Sequence, residues 1–389
     1  MGLLAAWAAC TTDLDCSLNG ACDAASGACA CDAPWSGAAC ETMELRPVSF
    51  PQGYGMRAHA LQNGANTSWG GNVLFDGTQY HLFVNAIANE CLLGTWGRNS
   101  RIDHAVSGRV EGPYSYRDTA VGVWASNPAP IVLPPGGAAG AYKYAIFHIG
   151  NGTVLPGVQN CTGGLPLPGA DAAPAAPLLL DSSGISVSMS LDGPWTLLQG
   201  NTLPPCNNPA PWVHPNSTLY ALCDDQVYRA EQLTGPWAKV GRAISHTSGP
   251  PTWHYEDPFL YTTKRGFHVL YHALDRDENP PLGLQCRNST VSAHAFSEDG
   301  FEWRVSTTQP YSTQVEVVVA GDGAGHQRTV VTVATRERPK LFFNATTGQP
   351  SHLINGVCGA PSCTDSPKTG CMDCKYKHHD YTLVQPLAI

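Results

Sequence analysis

From about residue 70 onward the chain runs in short apolar stretches, many alternating with polar residues, broken by Gly, Pro, Asn and Asp. Period-two alternation between such turn residues predicts strands rather than helices. The runs fall into a repeated phrase. Glu256-Asp257-Pro258-Phe259-Leu260-Tyr261 passes through a turn at 262–266 into an apolar run at 267–272. Ser126-Asn127-Pro128-Ala129 precedes the run 142–148, and Asn207-Asn208-Pro209-Ala210 precedes 218–223. A fainter copy, Gly71-Asn72-Val73, precedes 80–85. A third run follows each copy, and then a closing turn with an aromatic: Gly112-Pro113-Tyr114, Gly193-Pro194-Trp195, Gly235-Pro236-Trp237 and the variant Asp299-Gly300-Phe301-Glu302-Trp303. A fifth, looser copy starts at Thr313-Gln314-Val315-Glu316-Val317 and ends near Gly348. Self-similarity at a long period, with short strands and a repeated Gly/aromatic mark, predicts a β-propeller of five blades. A β-sandwich with coincidental turns is the competing reading.

Composition narrows the class. With 389 residues, 40 Gly, 31 Pro and only 14% charged residues, the chain suits one large all-β unit plus a small module. A formal charge of −9 without a Lys/Arg cluster argues against nucleic acid as a partner. No apolar run is long enough to span a bilayer. Fifteen Cys and six Asn-x-Ser/Thr sequons (Asn66, Asn151, Asn160, Asn216, Asn288, Asn344) point to a secreted, disulfide-bonded glycoprotein. The expected divisions are an apolar stump at 1–9, a Cys-rich module at 10–42, a linker at 43–68, the propeller at 69–357, and a Cys-rich segment with a closing strand at 358–389. The stump is too short for a signal peptide and lacks its basic start, so the N-terminus reads as incomplete.

Cys10, Cys16, Cys22, Cys29, Cys31 and Cys40 crowd a segment too small to fold without staples. Spacing alone leaves fifteen pairings open. The segment resembles an epidermal-growth-factor-like module, and the resemblance implies Cys10–Cys22, Cys16–Cys29 and Cys31–Cys40. It also implies a spacer or adhesive unit, through which extracellular proteins would be contacted. Further on, a Gly/Pro/Ala-rich stretch at 150–177 reads as a surface loop, with Cys161 a candidate to bridge to Cys206. Cys358, Cys363, Cys371 and Cys374 lie near His378 and His379; in a secreted chain they read as disulfides ahead of zinc ligands.

Aligning the blade starts places Asn72, Asn127, Asn208, Asp257 and Glu316 at equivalent positions around a channel. Amides and carboxylates in a ring are suited to reading sugar hydroxyls. Strand alternation sends Glu256 away from the channel that Asp257 faces. The blade-initial Asp/Asn-Pro copies and the Gly-Pro-aromatic closures resemble the propeller superfamily of glycoside hydrolase families 43 and 32, over about residues 60–357. That resemblance implies a carbohydrate-active protein and, in the hydrolases, three carboxylates on the first three blades. Here those positions read Asn72, Asn127 and Asn208, and an amide has no proton to exchange at neutral pH.

Two functions follow from different classes. One is a glycoside hydrolase acting on an extracellular oligo- or polysaccharide, with Asp257 and Glu316 as its catalytic pair. The other is a non-catalytic glycan-binding or matrix propeller. His254, His272, His294, Arg336 and Trp69 complete the expected sugar site, and Trp96, Trp212 and Trp253 are further stacking candidates. Glu337, between Arg336 and Arg338, reads as an ionised member of an ion-pair network. No cofactor is expected, although a structural cation would fit the channel.

Overall fold

The computed structural model describes residues 9–49, 52–55, 67–136, 141–153, 158–162, 165–166, 183–223, 225–244, 253–275, 291–320, 326–333, 335–358 and 380–389. It is an all-β propeller of five blades preceded by a small disulfide-bonded module. Blade one is Ser68–Phe75, Tyr80–Ile87, Ser100–Ser107 and Ser115–Val121, each strand antiparallel to the next. Blade two starts at Ala125–Val132, blade three at Ala210–Val213 and blade four at Trp253–Thr263; each is four-stranded. Blade five has three strands among the described residues: Thr335–Phe343, Pro350–Cys358 and Tyr381–Pro386.

The fifth blade departs from expectation. Gln314–Ala320, which carries Glu316, is not its inner strand; it pairs with His326–Thr332 and with Val48–Ser49 in a separate sheet. Val315 and Val317 face inward onto Val357 and Leu383, which turns Glu316 outward. The inner strand is the one containing Arg336-Glu337-Arg338-Pro339, whose Glu-Arg-Pro repeats the Glu256-Asp257-Pro258 phrase.

Apolar clusters at successive blade interfaces close the ring. Phe147, Ile185, Leu219 and Trp237 join blades two and three, while Leu222, Val269 and Tyr271 join three and four. Phe259, Tyr261, Leu341 and Leu353 join four and five; Leu82, Val84, Ile354 and Val384 join five and one; Phe83, Ile102 and Ile146 join one and two. The Gly-Pro-aromatic turns cap this packing. In each, a Gly at positive φ precedes a cis-proline, a backbone state that Gly adopts without a Cβ penalty. The aromatic then folds back: Tyr114 Oη donates to Val110 O at 2.7 Å and Trp237 Nε1 to Leu233 O at 3.2 Å.

The N-terminal module carries the Cys10–Cys22, Cys16–Cys29 and Cys31–Cys40 disulfides that the resemblance implied. It docks on blade four. Trp35 is buried against Phe259, Tyr261 and Leu270, and Arg265 Nε lies 3.1 Å from Asp13 Oδ2 while its Nη1 pairs with Asp32. Cys161 bonds to Cys91, and Cys206 to Cys223, in place of the expected Cys161–Cys206 bridge. Cys358 is also disulfide-bonded. Cys363, Cys371, Cys374, His378 and His379 lie outside the described residues.

Candidate functional site at the propeller axis

Four first strands bring a residue in left-handed backbone conformation to the axis, each immediately before a Pro: Asn127 (φ 50°), Asn208 (58°), Asp257 (52°) and Arg338 (53°). In blades two, four and five this residue and its Pro form a bulge that shifts strand register, between Ser126 and Ala129, Glu256 and Phe259, and Glu337 and Lys340. Blade one has the same shift between Ser68 and Gly71, with Trp69-Gly70 in the bulge and no Pro. Gly70 is required there. Its φ is +73°, and a Cβ would sit 2.9 Å from the Arg338 Cβ.

The bulges turn these side chains towards one another. Asn127 Nδ2 donates to Asn208 Oδ1 at 2.7 Å and to Asp257 Oδ1 at 3.1 Å. Arg338 Nε stands 3.7 Å from Asp257 Oδ1, and its Nη1 donates to Trp69 O at 3.1 Å. His272 Nδ1 lies 4.0 Å from Asp257 Oδ2 and 3.9 Å from Glu337 Oε2. Lys340 Nζ donates to Pro258 O at 3.4 Å. All of these side chains are buried, so one hydrogen-bonded, charge-paired knot links the five blades. Burial pushes the Asp257 carboxyl above its ordinary range, and the Arg338 guanidinium draws it back. Burial likewise pushes Lys340 down to about 8.

Beside the knot, between blades three and four, is a cavity of about 310 Å³ lined by Asn207, Asn208, Asp225, Arg242, Tyr255, Glu256, Asp257 and Tyr271. Arg242 pairs with Asp225, and the Tyr255 and Tyr271 rings lie 5.6 Å apart. Glu256 therefore shares a cavity with Asp257. Strand alternation does not hold here, because the bulge interrupts the period at that step. A larger cavity of about 660 Å³ opens at the other end of the first strands, walled by Phe75, Val132, Trp212 and Phe343.

The expected site residues divide accordingly. Asn127, Asn208, Asp257 and His272 converge at the axis. Asn72 lies three residues beyond the equivalent position, accepts from the Val73 N–H at 2.8 Å and lines the larger, apolar cavity. Glu316 pairs with Arg328 at 3.3 Å on the outer hairpin. Arg336 is buried within blade five, donating to Asn355 Oδ1 and Gln385 Oε1 at 2.8 Å each and lying over the Tyr311 ring, which leaves it turned from the axis. His294 is buried beside His268 and Trp35. Trp69 packs against Ile87 and Leu93, presenting only its carbonyl to the axis. Trp96 packs in that same region, and Trp212 lines the larger cavity. The side chains of His254 and Trp253 lie outside the described residues, as do Asn66 and Asn288. Asn151, Asn160 and Asn216 are exposed and Asn344 partly so. Sequence reasoning missed Arg338, Tyr255, Tyr271 and the Asp225–Arg242 pair; the Glu-Arg-Pro copy was the available signal for the first.

Among solved structures, a thermostable family-43 glycoside hydrolase is similar over 84% of this chain and 91% of its own, with 11% identity and a TM-score of 0.50. The fold is that of a family-43 glycoside hydrolase. An α-L-arabinofuranosidase from Podospora anserina is similar over 89% of this chain and 98% of its own, at 9% identity and a TM-score of 0.49. An endo-1,4-beta-xylanase from Bacteroides thetaiotaomicron is similar over 82% and 89%, at 12% identity and 0.46. No family model matches the sequence, and no curated protein is similar to it. At such identities the likeness concerns architecture, and the chemistry has to be read from the axis itself.

Proposed function

We propose that this protein binds an extracellular polysaccharide at the cavity between blades three and four and does not cleave it by the three-carboxylate route. The observation that carries this reading is the Asn127 amide, donated at once to Asn208 and Asp257. Glycoside hydrolysis needs two carboxyl groups, one able to give a proton. The first three blades bring Trp69-Gly70, Asn127 and Asn208 to the equivalent positions at the axis, and none of these can do so. Asp257 is already matched by Arg338. The cavity retains what sugar recognition uses: two tyrosine rings, the Asn207 amide, and the carboxylates of Asp225 and Glu256. The disulfides and the exposed sequons support an extracellular setting.

One observation favours the hydrolase alternative. Glu256, Asp257 and His272 each offer a ligand atom within 4.8 Å of the others, close to the roughly 5–5.5 Å of a retaining carboxylate pair. A glycan array and a reducing-sugar assay on the same plant and algal polysaccharides separate the two. The proposal expects retention of at least one glycan, loss of that retention in Tyr255→Ala, and no reducing ends released. Turnover by the wild type that falls about 10²-fold in both Glu256→Gln and Asp257→Asn would establish the hydrolase instead.

A further inference from the structure

A second cluster lies on the flank of blade one, away from the axis. His81 on the second strand and His104 on the third are both buried, and His81 Nδ1 faces His104 Nε2 at 2.9 Å. Each ring turns its other nitrogen to a carboxylate: His81 Nε2 to Asp76 Oδ2 at 3.1 Å, and His104 Nδ1 to Asp118 Oδ2 at 3.4 Å. Asp76 Oδ1 already accepts from the Thr78 N–H, the Thr78 hydroxyl and the Gln79 N–H. That carboxylate is ionised, so the His81 nitrogen beside it is a donor. If both rings donate outward, two lone pairs point at each other across 2.9 Å. A cation between them would resolve that conflict.

Blade four provides an internal comparison. His268 and His294 occupy the same two positions, with Nδ1 and Nε2 3.1 Å apart. There the outer partner is the Thr263 hydroxyl at 3.0 Å, and Tyr261 and Trp35 stack on the pair. A hydroxyl donates or accepts, so two neutral rings suffice there, one donating to the other, with His294 Nδ1 left without a hydrogen-bond partner. Burial pushes His294 down to about 3, in keeping with a neutral pair. Among the described residues, the blade-one pair alone has a carboxylate at each outer nitrogen.

A third carboxylate completes the blade-one cluster. Asp192, from the closing turn of blade two, places Oδ1 3.9 Å from His81 Nδ1. Its Oδ2 is held by Arg117 Nη2 at 3.2 Å, which aims the other oxygen at the histidines. We infer that His81 Nδ1, His104 Nε2 and Asp192 Oδ1 form a site for a divalent transition-metal ion of the zinc class, clipping blade two to blade one. The three ligand atoms lie within 4.8 Å of one another. Tetrahedral zinc with Zn–N near 2.0–2.1 Å separates two nitrogens by about 3.3 Å, a few tenths of an ångström more than the present spacing. Asp76 and Asp118 would be the carboxylates that orient the metal-binding imidazoles and raise their basicity. Asp192 is about half exposed, so solvent reaches the fourth position.

The test uses the full chain, stripped with EDTA, dialysed and titrated calorimetrically with ZnCl2 beside His104→Gln and Asp192→Asn. The wild type should bind one equivalent with a Kd in the micromolar range or tighter. His104→Gln should lack that equivalent, and Asp192→Asn should bind it at least tenfold more weakly. Zinc should raise the melting temperature of the wild type more than that of either variant. Other His and Cys residues are common to all three proteins and cancel in the difference. Asp192 sits on an exposed turn, so its variant reads the site even where loss of a buried histidine impairs folding. Equal zinc stoichiometry and affinity in wild type and Asp192→Asn would overturn the inference. So would a wild type that takes up no zinc, which would leave a shared proton between the rings.

Discussion

Arg338→Met is the sharpest test of the axial knot. The substitution keeps most of the side-chain volume and removes the guanidinium that lies 3.7 Å from Asp257 Oδ1 and holds Trp69 O at 3.1 Å. It leaves Asp257 as a buried carboxylate whose remaining close donor is Asn127 Nδ2. Stranding one member of a buried ion pair costs about 3–5 kcal/mol. At about 2.1 cal/mol/K per residue over 389 residues, the unfolding entropy is about 0.8 kcal/mol/K, so the melting temperature should fall by about 4–6 °C. The pH dependence follows from the direction of the shift. Burial already raises the Asp257 pKa, and losing Arg338 raises it further. The deficit is therefore smaller near pH 4, close to the unfolded-state value of 3.8, where ionisation of the carboxyl has only begun. It grows as pH rises through the folded-state pKa. Calorimetric melts of wild type, Arg338→Met and Arg338→Met/Asp257→Asn at pH 4 and 7 read this directly. The double variant should recover more than half of the neutral-pH loss. A deficit below about 1 kcal/mol, or one equal at both pH values, would refute the pairing.

Other sites give independent readouts. Trp35→Ala should cost about 3 kcal/mol, because Trp35 is buried against Phe259, Tyr261 and Leu270; the variant should make the N-terminal module more susceptible to limited proteolysis while blade four stays protected in hydrogen exchange. Glu111 is held at about 2, chiefly by the His352 imidazole, whose Nε2 lies 3.8 Å from its Oε1. Since its folded pKa is depressed, its contribution is present above the unfolded value near 4.5 and lost as pH falls towards 2. Glu111→Gln should flatten that acid limb in a stability-versus-pH series, and an unchanged limb would assign acid sensitivity elsewhere.

Much of the architecture was legible because propeller blades repeat their turn chemistry. The Gly-Pro-aromatic closures mark a backbone that needs positive φ followed by Pro, and at Tyr114 and Trp237 the ring returns to a carbonyl four residues back. The axis was half legible. Asn127, Asn208 and Asp257 are short side chains of the kind that accept a left-handed backbone, so the motif stands out. Arg338 takes the same conformation with a long side chain that local propensity does not favour, and it hid blade five. The Val-rich hairpin at 314–332 then drew the assignment, since alternation cannot tell an axial strand from an outer one. Blade one has Gly70 where the others have Pro, which moved the reading to Asn72. The His81–His104–Asp192 cluster joins two blades and has no contiguous motif to find.

The three-stranded fifth blade has a consequence for how the chain reaches its native state. Its outer strand, Tyr381–Pro386, is bordered by the segment that follows the N-terminal module, with bridges at Leu45–Leu387 and Tyr54–Thr382 and a hydrogen bond from Gln52 Nε2 to Val384 O. These partners are separated by up to 342 positions. Closing a loop of that order costs about 5 kcal/mol of chain entropy before any contact compensates it. Contacts of such range form late. Until they form, the last strand of the ring has an open hydrogen-bonding edge, the kind of template on which a second chain can pair. Leu45, Gln52 and Tyr54 thus guard that edge, and the step that seals the ring also closes it to pairing with a second chain.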